Sequence, residues 1–220
     1  MAENNHTHPL DKQPHTFEFI GGTLCLDFVN TIDGRGPAGS HQDYLSHYED
    51  LLLWAAQAGL LDDLQVERLR QRAEDHSIEA TTVLDEARLL REAIYHIFSA
   101  IHLGQQPAQA DLNLLSHVLS EAMAHARLRY VEGDFLWDWP DDDERLQQML
   151  WPVARSAAEL LTKTQIERVH LCANDSCGWL FLDTSKNHSR RWCSMETCGN
   201  VTKVRKHRKR QRSAKRNDAD

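Results

Sequence analysis

The sequence predicts an α+β fold in two parts. A mostly helical N-terminal domain with a small sheet comes first, and a small module of one hairpin and a basic helix, organised around four cysteines, follows it. Three observations carry this expectation: apolar residues recur at helical spacing from Leu51 to Ile101 and again toward Leu161, four of five cysteines fall in the last quarter, and the charge changes sign near residue 186. At 220 residues and 41% hydrophobic content the chain has room for one domain of ordinary size plus an appended module.

Residues 1–15 are polar, include His6 and His8, and lack periodicity, so they are expected to form a disordered lead-in. The N-terminal domain is assigned to 16–165. Phe17 to Ile32 begins apolar, breaks at Gly21-Gly22, and then sets Leu24, Phe28 and Ile32 at helical spacing, which predicts a short strand followed by a helix. Gly34 to Gly39, with Pro37, is a loop. Ser46 and Glu49 have capping-box spacing ahead of Leu51 to Ala55, and Gly59 is the stop. Helical spacing runs through Leu64 to Glu74 and through Val83 to Ile101, broken at Gly104 and Pro107. A further helix is expected from Asp111 to about Arg127. Strands are expected at Leu128 to Val131 and Phe135 to Trp139 around Gly133-Asp134. Asp143 to Leu161 is helical, with Pro152 as a kink or a new start.

The net charge of -8 averages two opposite regions. From Lys186 to Asp220 twelve Lys and Arg stand against three acids, or +9; the remaining thirteen basic and thirty acidic residues give -17. A polyanion responds to local potential, so the segment suits nucleic acid despite the acidic whole. A charge run alone also suits a solubilising tail. No run approaches the apolar length of a membrane span and no secretory h-region is present, so a cytoplasmic protein is expected, in which thiols serve metals rather than disulfides.

Cys172 and Cys177 are separated by four residues, as are Cys193 and Cys198, with fifteen residues between the pairs. Two close pairs at short separation predict one structural zinc ion held by four thiolates in a closed tetrahedral shell. An iron-sulfur cluster uses the same donors. The stretch Gly178 to Asn187 has the composition of a hairpin, and Trp179, Phe181 and Trp192 would cover the metal. Arg190, Arg191 and Lys203 stand near in sequence to offset the negative charge of the site. His170 and His188 are alternative ligands that four cysteines make unnecessary.

The run from Cys172 to Ser185, followed by Arg190-Arg191-Trp192-Cys193-Ser194-Met195-Glu196-Thr197-Cys198-Gly199-Asn200, resembles the CGNR zinc finger. Upstream, Gly22 to Thr31 and Leu89-Leu90-Arg91-Glu92-Ala93 resemble the ABATE domain that accompanies this finger. The resemblance implies a bacterial, stress-related transcription regulator with a sensor domain ahead of a DNA-binding finger over 166–216. One departure stands out: Val201 replaces the arginine of the family signature.

After Cys198 a basic helix is expected, anchored by Val201 and Val204. The candidate nucleic-acid contacts are Lys186, Arg190, Arg191, Lys203, Arg205, Lys206, Arg208, Lys209, Arg210 and Arg212. Duplex DNA is the expected partner. An RNA-associated finger, with exposed aromatic rings stacking on unpaired bases, is the alternative. The N-terminal segment has no recognisable nucleophile triad, phosphate loop or catalytic metal motif, so an enzyme is not expected. Asp27, Asn30 and Arg91 form a candidate effector pocket, against which stands a satisfied structural network. Cys25 is read as a core residue, with redox sensing as the rival. A homo-oligomer fits the sequence as well as a monomer does, and the N-terminal domain is expected to fold without the finger.

Overall fold

The computed structural model describes residues 15–139, 145–163, 166–205, 208 and 211. Apart from His15, the expected disordered lead-in lies outside them, as do Lys206, Lys209, Arg210 and Arg212 of the basic segment.

A six-residue helix, α1 (Leu24–Val29), sits at the centre of the body, with Cys25, Leu26, Phe28 and Val29 fully buried. Residues 15–20 form no regular structure, so the strand expected before α1 is absent. Ile32 instead begins a short ladder, β1 (Ile32–Asp33) with β2 (Gln42–Asp43). The tight turn at Gly21-Gly22 brings the chain straight into the helix: the Asp27 carboxylate accepts from the Gly21 N–H at 2.7 Å and consumes the donor a strand would have used.

Five further helices complete the body among the described residues. Helix α2 (Tyr48–Gln57) starts one residue later than Ser46 and Glu49 suggest, because Asp50 takes the backbone N–H groups of Ser46 and His47. Helix α3 (Asp63–Asp75) opens on a reciprocal Asp62–Gln65 capping box, and α4 (Ser77–His102) buries Val83, Leu84, Ala87, Leu90, Ile94, Ile97 and Phe98 along one stripe. Helix α5 (Gln109–His125) packs against α4 and α6 (Leu150–Thr162). Pro152 stands in the first turn of α6, where its missing N–H has no intrahelical partner to lose, so it marks a start rather than a kink. Between α5 and α6 the hairpin β3 (Arg127–Val131) and β4 (Asp134–Asp138) turns through Glu132-Gly133, both at positive φ. The turn is thus one residue earlier than Gly133-Asp134.

The last ladder, β5 (Val169–Leu171) with β6 (Leu180–Leu182), carries the four-cysteine module, yet Val169, Leu180 and Leu182 belong to the same apolar core as α1, α4 and α6. The body core therefore continues past residue 165. The fold is the mostly helical α+β arrangement with small antiparallel sheets and a cysteine-rich end that the sequence implies. No described helix is long and apolar enough to cross a membrane.

Candidate metal centre

Each cysteine pair stands on a tight loop. Cys172 and Cys177 flank the loop that joins β5 to β6, so the first knuckle is itself the end of the hairpin. This differs from the hairpin expected within 178–187, where residues 183–189 form turns instead. The alternating apolar residues of 179–182 pair backward with Val169 to Leu171, because pairing there buries Leu180 and Leu182 in the body core. Cys193 precedes and Cys198 closes a π-turn, Met195–Gly199, from which a helix continues over 200–205. The knuckles are tied directly: the Ala173 N–H donates to the Arg191 carbonyl at 2.8 Å.

The four sulfurs lie within 4.8 Å of one another, with Cys177–Cys193 at 3.7 Å and Cys193–Cys198 at 3.6 Å. A tetrahedron with metal–sulfur bonds of about 2.3 Å has edges of about 3.8 Å, so the donor set fits zinc in geometry as in chemistry. Packed this closely as thiols, the groups conflict. Hydrogen bonds from Cys177 and Cys193 hold Cys172 far below the usual thiol range, while the same contacts push Cys177 and Cys193 up. A divalent cation removes the conflict by accepting all four as thiolates. Donors already face the sulfurs: Asn174 Nδ2 reaches Cys198 at 3.3 Å and the Cys193 N–H reaches Cys172 at 3.5 Å. Phe181, fully buried, and half-buried Trp179, Trp192 and Ile20 cover the cluster. Neither His170, on β5, nor His188, in a turn at φ 46°, joins it.

The centre is seated on the body by a strap the sequence marked only as a loop. Gly36 N–H donates to the Cys177 carbonyl at 3.3 Å and Ala38 N–H to the Asp175 carbonyl at 2.9 Å. The approach leaves no room for side chains: a Cβ on Gly36 would fall 2.3 Å from the Asp175 oxygen, and one on Gly178, at φ +78°, 2.7 Å from Gly36 N. Three glycines within six residues were the available signal. Arg35, within the strap, forms a two-pronged ion pair with Glu92 at 2.6 and 2.7 Å and lies over Tyr95.

Each of the candidate pocket residues has a partner in the protein. Asn30 donates to the Leu180 carbonyl at 2.9 Å and accepts its N–H at 3.0 Å, which docks β6. Arg91, 2% exposed, pairs with Asp43 at 2.6 and 2.7 Å and donates to Thr31. Burial pushes Asp43 up, but the Arg91 hydrogen bonds outweigh it and hold the carboxyl below its usual range. Among the described residues Asp27 accepts one hydrogen bond, from the Gly21 N–H, and burial lifts its carboxyl to about 6. Cys25 is fully buried beside Thr23, and burial pushes its thiol up to about 11, the opposite of a reactive thiol.

With this geometry in place, comparison with known families is decisive. Residues 22–164 match the ABATE family, described as "Putative stress-induced transcription regulator". The chain belongs to that family. Residues 168–211 match the CGNR zinc finger. No curated protein matches the chain. Finger family and thiolate geometry together assign one structural zinc ion to an ABATE-family protein with a CGNR finger.

The basic residues around the finger divide. Arg190 is turned inward: its guanidinium donates to the carbonyls of Trp192 and Cys193 and lies 4.6 Å from the Phe181 ring centre. Arg191 and Arg205, both exposed, flank a cleft of about 390 Å³ with Asn174, Trp192 and Thr202. Lys186, Lys203 and Arg208 are exposed. On another side of the cluster, a cleft reaching Cys177, Cys193 and Cys198 is lined by the body's Glu18 and Asp33. Val201 and Val204 do not anchor the helix, being 42% and 48% exposed. Arg205 ties the helix to the first knuckle through longer contacts to Asn174 and Ser176, while Thr202 donates back along the same segment to the Cys198 carbonyl at 2.8 Å.

Proposed function

We propose that this protein is a zinc-dependent transcription regulator that binds duplex DNA through the Arg191–Arg205 face of its finger and the basic segment beyond it. The helical body is its regulatory part. The observation that carries the proposal is the polarity of charge around the metal: Glu18 and Asp33 line one cleft, while Arg191 and Arg205 outnumber the single acid, Asp175, in the other, and Lys203 and Arg208 beside them in sequence are exposed. A polyanion is repelled from the first and drawn to the second. Asn174 bonds both a zinc-binding sulfur and Arg205, so metal geometry and the basic helix are set together. Lys186, Lys206, Lys209, Arg210 and Arg212 extend the same charge in sequence. Arg190 has its own structural partners and is left out.

The RNA alternative rests on exposed aromatic rings, and it loses support here. Phe181 is fully buried, and the Trp179 indole N–H donates to the Ile32 carbonyl at 2.9 Å. An effector would act on the finger through the strap and Asn30, the contacts that join the two parts. No catalytic step is assigned, because four thiolates leave zinc no open position.

Neutralising roughly five phosphates gives a log-log salt slope of about -4 to -5, a loss of a few hundred-fold in affinity between about 50 and 200 mM salt. Anisotropy titrations with a duplex probe measure it. Removing residues 203–216 is expected to abolish most of the slope with zinc retained, and Val201→Arg to steepen it by about one phosphate contact. A deleted protein with unchanged affinity and slope would reduce the tail to a solubilising appendage. Single strands competing better than duplex would favour RNA.

A further inference from the structure

The β3–β4 hairpin presents an apolar face that is largely exposed among the described residues, with Arg155 of α6 lying over its Trp137 ring at 5.4 Å. Register places Leu128 opposite Trp137 and Tyr130 opposite Phe135, so these four share one face, while Arg127 and Arg129 pair with Asp138 on the other. Leu128 is 61%, Tyr130 64%, Phe135 72% and Trp137 38% exposed, and the Tyr130 and Phe135 rings pack at 5.0 Å. The hairpin is a two-stranded sheet whose outer edges are unpaired among the described residues.

We propose that this face is a self-association surface, occupied by the same hairpin of a second copy of this chain. The rest of the chain offers no cover of its own. Residues 1–14, 140–144, 164–165 and 212–220 contain no large apolar side chain besides Met1 and Leu10. Nucleic acid does not suit the face either, because Glu132, Asp134 and Asp138 lie within the hairpin and Asp141, Asp142, Asp143 and Glu144 follow it in sequence. A second copy suits it on two counts. The four side chains carry no charge, and the Arg155 guanidinium over Trp137 is already paired with Glu159, so meeting about a twofold axis leaves the Arg–Asp pairs on the reverse side undisturbed. Its four side chains expose roughly 450 Å² on the ordinary areas of such groups, and two copies reach about 900 Å². That is the size of a small, reversible interface, just below the ~1,000 Å² of a stable one.

Sedimentation equilibrium on the full, zinc-loaded chain between about 1 and 100 µM tests the proposal in the affinity range of such interfaces. A species of twice 25.3 kDa is expected. The double variant Tyr130→Ser/Phe135→Ser is expected to raise the dimer dissociation constant by about a hundred-fold or more, with zinc content and near-ultraviolet circular dichroism unchanged. Phe135→Glu, at the most exposed of these positions, serves in its place should the double variant unfold, with the same expected rise. A 25.3 kDa species at every concentration would overturn the proposal, as would a dimer whose dissociation constant neither variant moves. A monomer whose hairpin amides gain hydrogen-exchange protection only on addition of duplex would overturn it in favour of DNA.

Discussion

The helical body and the cysteine module solve the same problem by different means. In the body, α1 packs against α4 and α6, and burial of side chains such as Leu26, Phe28, Leu90 and Ile94 supplies the stability. The module has one fully buried aromatic ring, Phe181, and four sulfurs, so metal binding supplies what apolar area cannot. Such parts could be independent, but the seam between them is packed as one core. Val169, Leu180 and Leu182 are module residues by sequence and core residues by packing. The strap over 34–39 is a body segment whose amides are satisfied by the knuckle.

The strongest way to break this comparison is to remove the metal. With independent parts, chelation or Cys177→Ser would unfold the module and leave the body's thermal transition in place. With a shared core, loss of the knuckle uncovers Leu180 and Leu182 and frees the strap amides. Each large side chain uncovered costs about 1.5–3 kcal/mol. The body transition, followed by far-ultraviolet circular dichroism, is therefore expected to fall by roughly 10 °C or more, at about 2–4 °C per kcal/mol for a chain this size. A chain cut after residue 165 is the extreme case and is expected to lose cooperative unfolding. An unshifted transition in both would separate the parts again.

A narrower cut goes through Asn30. Replacing it by alanine leaves the Leu180 N–H and carbonyl buried without their partners, at a cost of about 2–4 kcal/mol, while every zinc ligand stays in place. Zinc content should remain one per chain and the urea midpoint should fall. The informative result is the shape of the curve: one transition at lower urea keeps the parts coupled, whereas two transitions would show Asn30 to be the coupling itself.

Much of this was legible in the sequence, for reasons specific to each feature. Helices α2 and α4 carry apolar stripes that end near Gly59 and Gly104, which local spacing reports faithfully. The metal centre was legible because its ligands are a rare residue type at equal spacing. The seam was not. Asn30 and Leu180 are 150 residues apart, and no local pattern links an amide side chain to one backbone unit across that distance. Val201 and Val204 misled through hydrophobicity alone, since both are exposed and the helix reaches the first knuckle through Arg205 instead. The hairpin at 169–182 was misplaced because the alternating segment at 179–182 can pair forward or backward, and only the body core decides the direction.

The finest test uses two carboxyls on opposite sides of the seam. Gly21 joins them: its N–H donates to Asp27 of the body, and its carbonyl accepts the N–H of Leu182, the residue before Asp183 of the module. For Asp183, which has no exposed surface, burial raises the pKa, but the hydrogen bonds from Ser185 and from the Arg190 N–H outweigh it and hold the carboxyl at about 2. For Asp27, burial faces one hydrogen bond and wins, giving about 6 against an ordinary 3.8. The signs of linkage are therefore opposite. Asp183 stabilises the fold above pH about 4, and that contribution is lost as pH falls toward about 2. Asp27 penalises the fold once ionised, so its cost is absent below pH about 4, grows through about 6 and is complete above it. Asp27→Asn keeps an acceptor oxygen for Gly21 and removes the charge. It should match the parent near pH 4 and exceed it in stability above pH 6 by up to about 3 kcal/mol, the equivalent of roughly two pKa units. Taking the difference between variant and parent at each pH cancels the acid loss of zinc common to both. A difference that is flat from pH 4 to 7 would mean that water reaches Asp27, and that the seam is wetter on its body side than its packing implies.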